Sequence, residues 1–126
     1  MSPIRLISVV LFACVLLGCE KKLERTPETV AQLQGRLAAA KQMTSMTEKD
    51  DACRMVAQDA AELSEPAIAL EALQQISSLT VRDAAAEVCA KKLISLGKPA
   101  DATKVANTIS SINLRDSVLK RIAGGF

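Results

Sequence analysis

The sequence contains no histidine, tryptophan or tyrosine, and only two phenylalanines among its 126 residues. Without histidine, a Ser-His or Cys-His nucleophile pair and an imidazole-ligated metal site are both excluded. Sugar-binding sites and base-stacking surfaces depend on aromatic rings, so neither is expected. The composition therefore predicts a protein that is not an enzyme and that has no cofactor, metal or small-molecule substrate.

A strong excess of one charge is also absent. Lys and Arg total 16, against 14 for Asp and Glu. Proteins that bind nucleic acid need a strongly basic face to neutralise phosphates. A nucleic-acid partner is therefore not expected.

The N-terminus carries a basic residue, Arg5, followed by an apolar run over 6–17. This order is typical of a secretory signal peptide. The run has about 12 residues, whereas a membrane-spanning helix needs about 20. It ends in Leu16-Leu17-Gly18-Cys19, which resembles the lipobox of bacterial lipoproteins. The resemblance implies that residues 1–18 are removed as a signal peptide and that Cys19 is lipidated.

Residues 19–26 would then form a lipidated cysteine and a charged tether to a domain at 27–126. Seven residue steps reach about 25 Å at most, which would hold the domain close to a lipid bilayer. In the lipoprotein family, an aspartate directly after the cysteine favours retention in the inner membrane. This chain has Glu20 there instead, so we expect an anchor in the outer membrane, facing the periplasm.

The chain repeats itself every 33 residues. The segments Ile76–Asp83 and Ile109–Asp116 share the isoleucine, both serines, the arginine and the aspartate, and Met43–Asp50 is a weaker copy. A period of this length is typical of stacked helical-repeat proteins.

Apolar residues at three-and-four spacing predict six helices, and no stretch alternates with the period of a strand. The predicted helices span 27–45, 48–63, 66–78, 81–96, 99–111 and 114–123. Short linkers make consecutive helices antiparallel neighbours. The predicted fold is therefore all-α, an αα-superhelix of about three helical-hairpin repeats.

The repeated polar residues are typical of helix punctuation. The predicted N-caps are Thr47, Thr80 and Asn113, with Asp50, Asp83 and Asp116 at the capping-box position three residues later. Pro66 and Pro99 suit a first helical turn. Gly97 and Gly124 are predicted helix ends.

The segment Leu96-Gly97-Lys98-Pro99-Ala100-Asp101-Ala102 resembles the corner of a tetratricopeptide repeat. The resemblance implies an αα-superhelix that binds segments of other proteins in a groove. The period is 33 rather than the family's usual 34, and the family's aromatic positions are missing. Which helices pair within a repeat is therefore open at this point.

Cys53 and Cys89 form an even pair in an oxidising compartment, which predicts a disulfide between adjacent repeats. The alternative is two buried free thiols that act as small hydrophobic side chains.

The last predicted helix has no further helix to cover its apolar residues. These residues are Leu114, Val118, Leu119 and Ile122, followed by Phe126. They predict an interface with another envelope protein or with a second copy of the chain. The alternative is that all of them face inward.

Together these features predict a membrane-anchored lipoprotein that acts as a protein-binding scaffold or accessory subunit of a cell-envelope complex. The alternative is an immunity or exclusion lipoprotein that neutralises a toxin or a phage component.

Overall fold

The computed structural model describes residues 24–125, which form six α-helices and no β-strand. The helices are α1 (Pro27–Lys41), α2 (Met46–Glu62), α3 (Pro66–Gln74), α4 (Leu79–Ser95), α5 (Pro99–Ala106) and α6 (Ile112–Gly124). They pack as antiparallel pairs. The predicted all-α class with six helices is confirmed.

The most extensive helix contacts join long α2 to short α3 and long α4 to short α5. The long helices α2, α4 and α6 also contact one another in chain order, as do α1, α3 and α5. The helices therefore form two layers. The pairing that the sequence leaves open is decided: a long helix is followed by its short partner.

Small and medium apolar side chains fill the space between the two layers. Ala40, Leu73 and Ala106 stand 33 residues apart, and all three are buried. An alanine side chain occupies little space, so neighbouring helices approach closely and make dense dispersion contacts. Burying Leu73 completely contributes about 2–3 kcal/mol to the free energy of folding.

Serines, rather than the predicted residues, cap the long helices. The observed N-caps are Ser45, Ser78 and Ser111, two residues before the predicted Thr47, Thr80 and Asn113. Each serine Oγ accepts a hydrogen bond from the backbone N–H three residues later, at 3.3 to 3.4 Å. The long helices therefore start earlier than predicted, and the short helices before them also end earlier.

Helices α2 and α4 end in the same type of turn. Ser64 and Gly97 have left-handed backbones, with φ of 56° and 73°. In both turns the next N–H donates over 2.8 Å to the carbonyl five residues earlier, as in a Schellman motif. The predicted helix end at Gly97 is confirmed. At α6 the left-handed residue is Gly125, one residue after the predicted Gly124.

The structure contains no bridge between Cys53 and Cys89; both are free thiols, completely buried. Subtracting 33 places Cys89 level with Val56, three residues beyond Cys53 on the neighbouring long helix. That offset adds about 4.5 Å along the helix axis to an interaxial distance of about 8–10 Å. The predicted disulfide is therefore wrong for this structure, and the thiols pack as small apolar groups.

Candidate interaction surface

Asp50 on α2 holds the loop that precedes α4. Its Oδ1 accepts from the Ser77 N–H at 2.8 Å, and its Oδ2 accepts from the Ser78 N–H at 3.1 Å. The Ser77 hydroxyl lies 2.9 Å from Oδ2. The carboxylate is only 7% exposed. Asp50 therefore fixes one long helix to the start of the next.

Asp83 on α4 makes the same contact one step further along the chain. It accepts from the Ser110 N–H at 2.8 Å and from the Ser111 N–H at 3.0 Å. Arg82 Nη2 donates to the Ser110 hydroxyl at 3.2 Å, which adds a second tie to the same loop. A contact between residues 27 and 28 apart thus recurs with the 33-residue spacing of the sequence.

The ionised form of Asp50 is favoured. Burial opposes ionisation, but hydrogen bonds from the backbones of Ser77 and Ser78 and from the Ser77 hydroxyl outweigh it, with help from Lys49. The net effect is a pKa below the usual value for this carboxyl. Asp50 is therefore a charged structural acceptor.

The capping-box role predicted for the aspartates is wrong. Asp50 and Asp83 reach the next loop rather than the backbone at the start of their own helix. Asp116 is exposed and accepts no hydrogen bond from any described residue. The serine pair at 77–78 and at 110–111 is the sequence signal that identifies the true caps and the aspartates' partners.

Three large apolar residues share one register and remain exposed. Met46, Leu79 and Ile112 are 64%, 55% and 63% exposed, and each is the first residue of a long helix. A single exposed apolar residue is common, but three in register form a patch of the kind found at binding sites. We call these three residues the apolar row. Sequence reasoning missed it because the predicted helices started too late.

Shallow clefts separate the long helices on their outer side. The cleft between α2 and α4 is lined in part by Thr47, Asp51 and Arg54, and the cleft between α4 and α6 by Thr80 and Glu87. Arg54 Nη2 lies 2.5 Å from Asp51 Oδ1, an exposed ion pair of the kind that adds little stability. The outer side therefore carries mixed charge with no excess of either sign.

The residues predicted as a partner surface on α6 mostly face inward. Val118 is 2% exposed, and Leu114, Leu119 and Ile122 are partly buried against the core. Val118 is therefore a core residue, since its helix packs on α4 and α5. Phe126 lies outside the described residues, as do Cys19 and the signal peptide.

Within residues 24–125, no three His, Cys, Asp or Glu side chains are close enough together to hold a metal ion. No helix in this range is both long enough and apolar enough to cross a membrane. No protein-family model, curated protein or solved structure matches this chain.

Proposed function

We propose that this chain is a lipid-anchored protein of the bacterial envelope that serves as a scaffold or accessory subunit by binding another protein. In this proposal residues 1–18 are removed and Cys19 carries the lipid, in the outer membrane facing the periplasm. The helical domain is a tetratricopeptide-like superhelix.

The repeat organisation is supported by contacts that recur at one spacing. Asp50 and Asp83 hold successive loops in the same way. Ser64 and Gly97 end successive long helices with the same backbone conformation. Recurrent local contacts of this kind define a stacked array, in which each unit packs only on its neighbours.

The apolar row is the observation that carries the binding function. Long helices pack about 8–10 Å apart, so Met46, Leu79 and Ile112 present apolar groups at about that interval. A partner helix places its residues i, i+7 and i+14 about 10.5 Å apart on one side. The row therefore fits an amphipathic helix with an apolar residue at every seventh position.

The position of the tether leaves the row accessible. Helix α1 runs antiparallel to α2, so Thr26 and Met46 lie at opposite ends of the helix layers. Fifteen residues of α1 separate the two ends by about 22 Å. A lipid at Cys19 would hold the Thr26 end near the bilayer and direct the apolar row away from it.

A photo-crosslinking amino acid placed at Leu79 in living cells tests the binding site. We expect a discrete adduct with one envelope protein, and its loss when Met46→Ser and Ile112→Ser are added. Lys104 on α5 is the matched control, because it is exposed but lies in the short-helix layer. Equal adducts from both positions, or none from Leu79, would contradict the proposal.

The anchor is tested separately with Cys19→Ser. We expect this variant to lose incorporation of radiolabelled palmitate and to leave the membrane fraction. An adduct at Leu79 that forms only with an incoming toxin or phage protein would favour the immunity or exclusion function instead.

A further inference from the structure

The two ends of the helix array are unmatched halves of one helix pair. Internally, each long helix is followed by a short partner, as in α2 with α3 and α4 with α5. Helix α1 belongs to the short-helix layer and has no long helix before it among the described residues. Helix α6 belongs to the long-helix layer and has no short helix after it in the same range.

The α6 end presents an unused acceptor. Asp116 occupies the position of Asp50 and Asp83, each of which accepts two backbone N–H groups from the next loop. No loop comes after α6 in the described chain, and the Asp116 carboxylate is exposed. A carboxylate in this register is therefore open to a pair of donors from outside the molecule.

The α1 end presents the matching donors. Thr44 and Ser45 stand 33 residues before Ser77 and Ser78, and their N–H groups donate to no described residue. Met43 beside them is 42% exposed, although the residue in its position in the next copy, Ile76, is 1% exposed. Both the donor pair and the apolar side chain lack the long helix that covers their internal counterparts.

We propose that the chain assembles head to tail, with α6 of one copy packed in front of α1 of the next. Asp116 then accepts from the N–H groups of Thr44 and Ser45 of the second copy, and α6 covers its Met43. The interface reproduces the internal contact between one long helix and the following loop. Because the two surfaces differ, the contact is heterologous and continues from copy to copy.

The 33-residue register is compatible with this joint. Three steps of 33 take Gly125, the last described residue, to position 26 of the next copy, one residue before α1 begins at Pro27. The described helices of one copy therefore meet those of the next without overlap. Attachment to one membrane would raise the effective concentration of copies and favour even a weak joint.

Site-specific disulfide crosslinking of the full-length chain in cells tests the assembly. The variant with both Thr44→Cys and Asp116→Cys should form a ladder of dimers, trimers and higher species under oxidation. Two single variants expressed together should form dimers only. Both positions are exposed, so the substitutions are not expected to disturb folding.

The control pairs Thr44→Cys with Lys104→Cys, which is equally exposed but does not meet Thr44 in the proposed joint. A ladder from the control as strong as from the test pair would overturn the proposal. Absence of any ladder, or dimers from each single variant alone, would also overturn it, the latter by indicating a two-fold symmetric contact. Because the joint does not use Leu79, these results are independent of the crosslinking at the apolar row.

Discussion

Asp50, Asp83 and Asp116 occupy one register of the sequence but three different environments. Asp50 accepts two backbone N–H groups and a hydroxyl, Asp83 accepts two backbone N–H groups, and Asp116 accepts nothing from the described residues. The difference arises because the donors belong to the loop before the next long helix, and no such loop contacts α6. The same residue is therefore structural inside the array and available at its end.

The comparison separates a closed interior from an open end. Inside the array, polar groups and apolar side chains are matched by the neighbouring long helix. At the two ends the equivalent groups are exposed, as Asp116 and Met43 show. Experiments that act on equivalent positions can therefore test whether interior and end differ as the structure indicates.

The largest expected effect concerns the reactivity of the interior thiols. Burial raises the pKa of Cys89 to about 12, and burial also raises the pKa of Cys53. Only opening of the fold exposes a thiolate, so native protein should react with a thiol reagent at least about a thousand-fold more slowly than denatured protein. Full reaction of both thiols in denaturant without reductant is expected; no reaction there would reveal a disulfide and refute the free-thiol interior.

The second prediction uses the three aspartates directly. Asp50→Ala leaves two buried N–H groups without an acceptor and should lower the free energy of unfolding by about 3 kcal/mol, and Asp83→Ala by about 2 kcal/mol. Asp116→Ala should change it by less than about 0.5 kcal/mol. Urea denaturation measures all three. Equal losses for Asp83→Ala and Asp116→Ala would remove the distinction between interior and end.

A smaller effect is expected at the two equivalent turns. Gly97→Ala places a side chain in a left-handed backbone and should destabilise the protein by about 1 kcal/mol, although no atom lies within 4 Å of the added Cβ. Ser64→Gly relieves the same strain and should stabilise it by a few tenths to about 1 kcal/mol. Thermal denaturation of both variants provides the measurement, and changes of the same sign would contradict the shared conformation.

The smallest effect is the pH dependence at Asp50, because burial offsets much of what the hydrogen bonds contribute. Its pKa in the folded protein is below the ordinary value of 3.8, so ionisation of Asp50 stabilises the fold above that pH. This stabilisation should disappear as the pH falls through the lowered pKa. Asp50→Asn should reduce the loss of stability between about pH 5 and about pH 2, measured by urea denaturation at each pH. An unchanged pH profile would exclude Asp50 as a contributor.

Much of the fold could be predicted from local patterns. The prolines at 27, 66 and 99 begin helices as expected, since a first-turn residue needs no N–H partner. The apolar spacing identified six helices, and Ile76 and Ile109 are core residues. The caps were misplaced by two residues because threonine and serine both suit that position, and local sequence does not choose between them.

The candidate surface was less predictable. The apolar row depends on where the long helices begin, so an error of two residues hid it. The assignment of Val118 to a partner surface also failed, because the inward side of α6 is set by how α6 packs on α4 and α5.

The sequence by itself determined the helical class, the helix-starting prolines, the turn at Gly97 and the 33-residue register, because each depends on backbone preferences within a few residues. Only the tertiary structure decided that Asp50 and Asp83 hold the following loops, that the cysteines stay unpaired, and that Met46, Leu79 and Ile112 remain exposed. These outcomes depend on contacts between residues 27 or more positions apart, or on whether such contacts exist. Such contacts are set by the packing of neighbouring helices.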